Sequence, residues 1–234
     1  METKKGAIII EGHVQGLANV RSLGKRGIPV FVVDQNRCVA QYSKYCKEFF
    51  KSPAFELDEF ADFLIDLAIN QNIRGWVLIP SNDHAVYTIA KNKYKLKRYY
   101  KIITPDLAIL NNIYDKWRLV QIASQNDIPT PRTLLMVEIS KIVKQINFPV
   151  LIKGREGLTF YKGTGKKVFL AHDKFELEEY LNQINKVIPL DKILFQELIP
   201  INAENFTISF TAFCVNGRIK CYWIGKKLIE HPVK

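Results

Sequence analysis

The chain has 234 residues, of which 47% are hydrophobic and 24% are charged, and this is the composition of an ordinary globular protein that can bury one or two cores. Its longest apolar runs have only the length of a strand, which argues against a membrane-spanning helix. The first residues lead directly into a strand-like run without the apolar core of a signal peptide, so we expect a cytoplasmic protein.

The net charge of +11 raises the question of a nucleic-acid partner. Most lysines are spread along the chain. Residues 91–101 contain a local cluster of cations interleaved with tyrosines, and such a cluster is also typical of an RNA-contacting surface. The interpretation we favour is the solvated end of a helix with the loop that follows it. An RNA-binding protein is therefore the least favoured alternative, and we do not expect nucleic acid as a partner.

Cysteine and histidine residues do not form a metal-binding pattern in the sequence. The cysteines are Cys38, Cys46, Cys214 and Cys221, at spacings wider than a zinc clamp, and the four histidines are scattered. We expect reduced, structural thiols and assign no metal ligand.

The first half of the chain alternates between strand-like and helix-like segments. We predict strands at residues 7–11, 29–34, 48–50, 76–80 and 101–104, and helices at residues 16–25, 57–70 and 84–91. Short runs that are apolar throughout, such as residues 29–34, are typical of parallel strands buried on both faces. This alternation predicts an α/β fold with an open, Rossmann-like parallel sheet and right-handed crossovers.

Ligands of open parallel sheets bind at the carboxyl ends of the strands. Polar or glycine-containing segments follow the strands there, and the candidate substrate-binding residues are Gly12, His13, Gln15, Ser81, Asn82 and Asp83. Asn82 and Asp83 are interpreted equally well as ordinary turn and N-cap residues that do not contact a substrate. The segment at Gly12 is not a dinucleotide fingerprint.

The second half has a different pattern. We predict one helix over residues 105–126, broken at residues 128–131, and then strands at residues 150–153 and 166–170 that are separated by a glycine-bearing loop. A helix at residues 173–184 and a strand at residues 193–197 follow. Residues 206–215 and 218–224 alternate as two strands around Asn216-Gly217, the strongest hairpin signal in the chain. This half is predicted to be α+β with antiparallel strands.

Phosphate chemistry needs cations on rigid elements and backbone N–H groups that a ligand can approach closely. Lys153 ends a predicted buried strand, and the loop after it contains Gly154, Gly157, Gly163, Gly165 and Lys166. Such a flexible loop can fold over a triphosphate, although it is not a Walker loop. A plain hairpin remains the alternative.

Four segments in order resemble the nucleotide-binding part of the ATP-grasp superfamily: Asp115-Lys116, residues 128–131, residues 148–157 and residues 195–200. The segments at residues 12–18, 20–24, 33–34, 43–46 and 80–83 extend the resemblance over nearly the whole chain. Within the superfamily, the chain looks like the carboxylate–amine ligases that carry an N-terminal Rossmann-like pre-ATP-grasp domain, a group that includes D-aspartate ligase-like proteins. Lys153-Gly154 departs from the Lys-Pro that this group usually has.

The resemblance implies roles for individual residues. Lys116 and Lys153 would reach the ATP phosphates, and the loop from Gly154 to Gly165 would close over them. Glu204 would bind the ribose. The adenine would meet backbone groups of Glu197 and Ile199, in the segment Gln196-Glu197-Leu198-Ile199, with help from Gln196. No catalytic residue is assigned.

The resemblance also implies a domain division and a reaction. A pre-ATP-grasp domain would occupy residues 1–113, an ATP-grasp N-terminal subdomain residues 114–190, and the start of an incomplete C-terminal subdomain residues 191–234. The reaction would be ATP-dependent carboxylate–amine, or carboxylate–thiol, ligation through an acyl phosphate, with magnesium as cofactor. We expect the magnesium ligands to lie outside this chain, which would then be C-terminally truncated and weak or inactive in turnover.

The partners implied are ATP, a small carboxylate and an amine, together with a homodimeric copy or a complementary C-terminal chain. The alternative function is a non-catalytic nucleotide-binding module or one half of a split ligase.

Overall fold

The computed structural model describes residues 5–135, 139–200 and 206–228. The chain folds as two compact units, Met1–Leu119 and Val120–Lys234. The strands of the first unit are β1 (Ala7–Ile10), β2 (Val30–Asp34), β3 (Cys46–Lys51), β4 (Val77–Pro80) and β5 (Lys101–Ile102). The first five helices of the chain, all in this unit, are α1 (Val14–Lys25), α2 (Glu59–Asn70), α3 (Asp83–Lys91), α4 (Lys93–Leu96) and α5 (Leu107–Tyr114).

The strands of the first unit pair in parallel in the order β3-β2-β1-β4-β5. This is the doubly wound arrangement expected from the alternation of segments. The strand order changes direction between β1 and β4, which is where such sheets hold ligands. The predicted parallel sheet is confirmed, and the short segment at residues 48–50 belongs to the longer strand β3.

Buried side chains line both faces of this sheet. One cluster joins Ile8, Ile10 and Leu78 of the strands to Phe60 and Leu64 of α2. Another packs Ile9 and Val32 against Val20 of α1. Because successive residues of a strand point to opposite faces, the apolar run 7–10 supplies both clusters.

The predicted single helix over residues 105–126 is wrong. The structure has two helices, α5 and α6 (Lys116–Gln125), separated at Asp115, whose backbone is extended. The Asp115 carboxylate accepts a hydrogen bond of 2.9 Å from the Trp117 N–H, which is how an N-cap residue starts a helix. Lys116 is therefore the first residue of a helix, not a residue near its middle.

The second unit contains β6 (Thr133–Leu135), α7 (Ile139–Gln145), β7 (Val150–Gly154), α8 (Gly157–Thr164), β8 (Phe169–Ala171), α9 (Lys174–Ile184), β9 (Ile193–Glu197), β10 (Ile208–Val215) and β11 (Arg218–Lys226). Strands β6, β9, β7 and β8 form an antiparallel sheet in that order. Strands β10 and β11 form the predicted hairpin, turning at Asn216 and Gly217, which both have positive φ.

One face of the β6-β9-β7-β8 sheet is covered by helices. Ile152 of β7 and Phe195 of β9 are fully buried against Ile142 of α7, Phe160 of α8 and Leu177 of α9. The strand residues between these buried positions point to the opposite face, which we call the open face because Lys153 and Gln196 are half-buried there, although Leu194 on the same face is buried. Strand β6 and helix α7 were not predicted from the sequence.

The predicted loop between the strands at residues 150–153 and 166–170 is also wrong. Residues 157–164 form helix α8, and the strand after it is shorter than expected. The helix ends at Gly165, whose φ of 70° lies in the left-handed region where glycine is favoured. Gly154 allows the helix to pack closely, because a Cβ there would lie 2.2 Å from the Phe160 Cβ.

None of the helices in the described ranges is long and apolar enough to cross a membrane. All four cysteines lie in these ranges and are free thiols. Burial raises the pKa of both Cys38 and Cys46, so these two thiols stay protonated and poorly nucleophilic near neutral pH.

Candidate functional site

A line of hydrogen bonds crosses three strands on the open face of the second unit. The Lys153 ammonium donates to the Gln196 Oε1 at 2.7 Å, and the Gln196 Nε2 donates to the Thr133 Oγ1 at 2.9 Å. The Thr133 hydroxyl in turn donates to the Pro131 carbonyl at 2.8 Å. Lys153 and Gln196, two of the residues predicted to bind nucleotide, are thus brought together at the ends of adjacent strands.

The end of β9 is fixed to the chain that enters β6. The Glu197 carboxylate accepts from the Arg132 N–H at 2.7 Å, and the Glu197 N–H donates to the Arg132 carbonyl at 3.0 Å. Beyond Glu197 the chain leaves the sheet, with Leu198 half-buried and Ile199 57% exposed. A backbone edge of this kind, beside apolar side chains, is the environment that an adenine ring needs.

The glycines that were expected to form a flexible lid belong to α8 and its ends. Gly157 begins the helix, Gly163 lies in its last turn, and Gly154 and Gly165 flank it. The Lys166 ammonium lies over the Phe169 ring, 4.8 Å from its centre. A cation held against an aromatic face in this way is stabilised in place. Contact of these residues with a phosphate stays a prediction.

Glu204, the predicted ribose ligand, lies outside the described residues. Lys116 lies in the first turn of α6, as described above.

The carboxyl edge of the parallel sheet in the first unit is bound together by polar side chains. The buried Asp34 carboxylate accepts from the Gly12 N–H at 2.8 Å and from the Asn36 N–H at 3.2 Å. The Asn82 side chain caps α3 through the N–H groups of its first turn, and its Nδ2 donates to the Glu11 Oε1 at 3.1 Å. Since Glu11 follows β1 and Asn82 follows β4, this bond joins the two loops at the change of strand direction.

The remaining candidates on this edge differ in exposure. His13, Gln15 and Asp83 are exposed, whereas the Ser81 Oγ is buried and has no hydrogen-bond partner within the part of the chain that the structure describes. The N-cap interpretation of Asn82 is confirmed. Binding of a substrate by these residues stays a prediction.

Three residues that take part in these networks through their side chains were not among the sequence-based candidates: Thr133, Asp34 and Glu11. Asp34 ends an apolar strand, which is a signal that the sequence offered. Thr133 carried no such signal, because its role depends on being paired with Gln196 across the sheet.

Ion pairs partly neutralise the basic segment of residues 91–101. Lys91 donates to Asp58 at 2.8 Å and Lys93 donates to Asp106 at 2.7 Å. Lys97 and Arg98 lie over the ring of Tyr94, 4.7 and 5.3 Å from its centre. These contacts engage cations of the segment within the protein itself, and the choice between a solvated helix end and an RNA-contacting surface stays a prediction.

Magnesium is bound in proteins by oxygen ligands, chiefly carboxylates. No group of three His, Cys, Asp or Glu side chains capable of holding a metal occurs among residues 5–135, 139–200 and 206–228. These residues therefore do not provide a cluster of side chains that could hold a magnesium ion by themselves.

Part of the chain matches a known protein family. Residues 113–219 match the model of the RimK-like ATP-grasp domain. No sequence relative with curated function matches the chain.

Solved structures share the fold at low sequence identity. N5-carboxyaminoimidazole ribonucleotide synthetase from Thermotoga maritima has a TM-score of 0.64 and 21% identity over 95% of this chain and 54% of its own. The N5-carboxyaminoimidazole synthetase of Staphylococcus aureus has a TM-score of 0.71 and 14% identity over 100% and 57%. The L-amino acid ligase of Bacillus licheniformis has a TM-score of 0.62 and 17% identity over 85% and 45%.

The chain thus spans about half the length of the structures it matches. The α/β fold class predicted from the sequence is confirmed. Residues 113–219, somewhat less than half of the chain, are similar in sequence to a RimK-like ATP-grasp domain.

Proposed function

We propose that this chain is the nucleotide-binding part of an ATP-dependent carboxylate–amine ligase. The observation that carries the proposal is the Lys153 ammonium held on the open face of an antiparallel sheet, next to the strand end at Glu197. The match to a RimK-like ATP-grasp domain supports it. Solved structures of similar fold include an L-amino acid ligase and a biotin carboxylase complexed with MgADP.

The proposed nucleotide-binding residues have different roles according to their chemistry. The Lys153 ammonium neutralises phosphate oxygens, because a fixed cation on a rigid strand stabilises negative charge without having to reorganise. The backbone from Glu197 to Ile199 offers a donor and an acceptor to adenine. Lys116 supplies a second cation to the phosphates, and Glu204 accepts from the ribose hydroxyls.

Ligation would proceed by transfer of the γ-phosphoryl group to a substrate carboxylate, with loss of ADP, and displacement of that phosphate by an amine. Such transfer depends mainly on positioning and on neutralisation of charge. The described residues supply cations but no metal-binding cluster. We therefore propose nucleotide binding for this chain, with little turnover by the chain alone.

The edge where β1 and β4 end is the proposed substrate site. His13, Gln15 and Asp83 are exposed and lie within four residues, in the sequence, of Glu11 or Asn82, whose side chains are bonded to each other there. These groups can donate and accept hydrogen bonds to a small polar substrate.

Calorimetric titration with ADP and with ATP, each with and without magnesium, tests the proposal. Lys153→Ala should weaken binding roughly 10- to 100-fold, the cost of losing one hydrogen bond from a charged group. Lys174→Ala is the matched control, because Lys174 is an exposed lysine of α9 that pairs only weakly with Glu178, at 3.6 Å. Absence of binding by the unaltered chain, or equal binding by Lys153→Ala, would overturn the proposal.

A second assay separates a ligase from a non-catalytic nucleotide-binding module. ADP release from ATP is measured with mixtures of small carboxylates and amines. We expect binding without carboxylate-dependent release above background, and release at ordinary enzyme rates would show that this chain is a complete catalyst.

A further inference from the structure

The hydrogen bonds around Lys153 have a direction that chemistry fixes. An ammonium group can only donate, so the Gln196 oxygen must face Lys153. The Gln196 Nε2 then faces Thr133, whose oxygen accepts while its own proton goes to the Pro131 carbonyl. Both ends of the Gln196 amide are therefore engaged, in the one orientation that satisfies each donor and acceptor.

Strand register brings these side chains together. Thr133 of β6 lies directly opposite Gln196 of β9, and Gln196 lies opposite Leu151 of β7. Lys153 is two residues beyond Leu151, so it points to the same face of the sheet. The three polar side chains are half-buried, which limits competition from water. Their arrangement follows from the sheet itself and not from a mobile loop.

We propose that Gln196 and Thr133 are positioning residues that hold the Lys153 ammonium on the open face. The part of this inference that concerns a nucleotide ligand of Lys153 rests on the proposed function. The hydrogen bonds among Lys153, Gln196 and Thr133 do not depend on that function. Gln196 accordingly acts through Lys153. This role differs from the direct help in binding adenine that the family resemblance implies for Gln196. A lysine held in place before binding loses less freedom when a phosphate arrives.

The first test needs no nucleotide. Acetylation of each lysine by a dilute activated ester is followed by mass spectrometry, with Lys174 as the internal reference. An acceptor bonded to the ammonium disfavours the reactive neutral amine, so Gln196→Met should raise the relative rate at Lys153 by about threefold. Thr133→Val should raise the rate less, and Thr133→Ser, which keeps the hydroxyl, should restore the rate of the unaltered chain.

Gln183→Met is the matched control for this test. Gln183 is an exposed glutamine of α9 that bonds to Glu179 within its own helix, so its replacement should leave the rate at Lys153 unchanged. An unchanged rate at Lys153 in both Gln196→Met and Thr133→Val would overturn the inference. Circular dichroism of each variant confirms that the fold is kept, and Thr133→Ser remains informative if a larger change unfolds the chain.

The second test uses ADP and a double-mutant cycle. Gln196→Met should weaken ADP binding roughly 3- to 10-fold in the presence of Lys153, and should add no further loss in the Lys153→Ala background. Losses that add in the double variant would show that Gln196 contacts the nucleotide directly. If the unaltered chain does not bind ADP, the proposed function fails, whereas the acetylation rates still decide whether Gln196 and Thr133 position Lys153.

Discussion

In the first unit, Gly12 and Asn82 stand on loops at the carboxyl edge of a parallel sheet, whereas in the second unit Lys153 and Gln196 stand on the strands of an antiparallel sheet. The loops are held by Asp34 and by the Glu11–Asn82 bond. Lys153 and Gln196 are held by strand register. The difference shows that one chain can fix polar groups either by bonding loops to each other or by building the groups into a sheet.

The largest expected effect tests whether each unit has its own core. Phe60 in the first unit and Phe195 in the second are both fully buried. Phe60→Ala and Phe195→Ala should each lower the free energy of unfolding by about 3–5 kcal/mol, because each leaves a cavity in a packed cluster. Urea unfolding followed by circular dichroism measures the loss.

Hydrogen exchange by mass spectrometry then locates the damage. Phe195→Ala should speed exchange mainly in β6, β7 and β9, and Phe60→Ala mainly in β1, β2 and β4. Equal acceleration in both sheets by either variant would contradict separate cores.

A medium effect compares two helix N-caps, one in each unit. Asn82 accepts from the N–H groups of His84 and Ala85, and Asp173 accepts from the Glu176 N–H. Asn82→Ala and Asp173→Ala should each cost about 1 kcal/mol, the usual loss when a cap is removed. Thermal unfolding of the two variants measures both losses.

The conservative replacements sharpen this comparison. Asp173→Asn keeps an acceptor for its helix and should change stability little. Asn82→Asp also keeps the cap but loses the donor to Glu11 and places two carboxylates together, so it should still destabilise. Equal behaviour of the two replacements would show that the Glu11–Asn82 bond does not hold the loops.

The smallest expected effect is a response of the first unit to acid. The Lys93 ammonium beside Asp106 lowers the pKa of that carboxyl, which therefore stabilises the fold above its unfolded pKa and loses this contribution as the pH falls through the lowered folded pKa. The melting temperature of the unaltered chain should exceed that of Asp106→Asn slightly at pH 7. The gap should narrow as the pH falls below the unfolded pKa of aspartate, about 3.9, and should close only below the lowered folded pKa. A gap that widens in acid would contradict this sign.

The sequence predicted the first unit better than the second. Apolar strands that are buried on both faces and helices that alternate with them give strong local signals, so β1, β2, β4 and α2 could be recognised without a structure. In the second unit, β6 has three residues and was missed, since its identity as a strand comes from pairing with β9.

The helix α8 shows why a glycine-rich segment can mislead. Four glycines in residues 154–165 predicted a flexible loop. Residues 157–164 instead form a helix, and this helix buries Phe160 in the core. Glycine lowers helix propensity by about 1 kcal/mol for each residue, which burial of a phenylalanine side chain can offset. Tertiary packing decided the outcome there.

The sequence by itself determined the class of the fold, the hairpin at Asn216-Gly217 and the candidacy of Lys153, because each depends on local pattern or on an ordered series of segments. Only the tertiary structure decided that Thr133, Gln196 and Lys153 form one line and that Glu11 meets Asn82. Residues 43 to 71 positions apart in these pairs are brought together by strand pairing and sheet order, and no local pattern encodes that proximity.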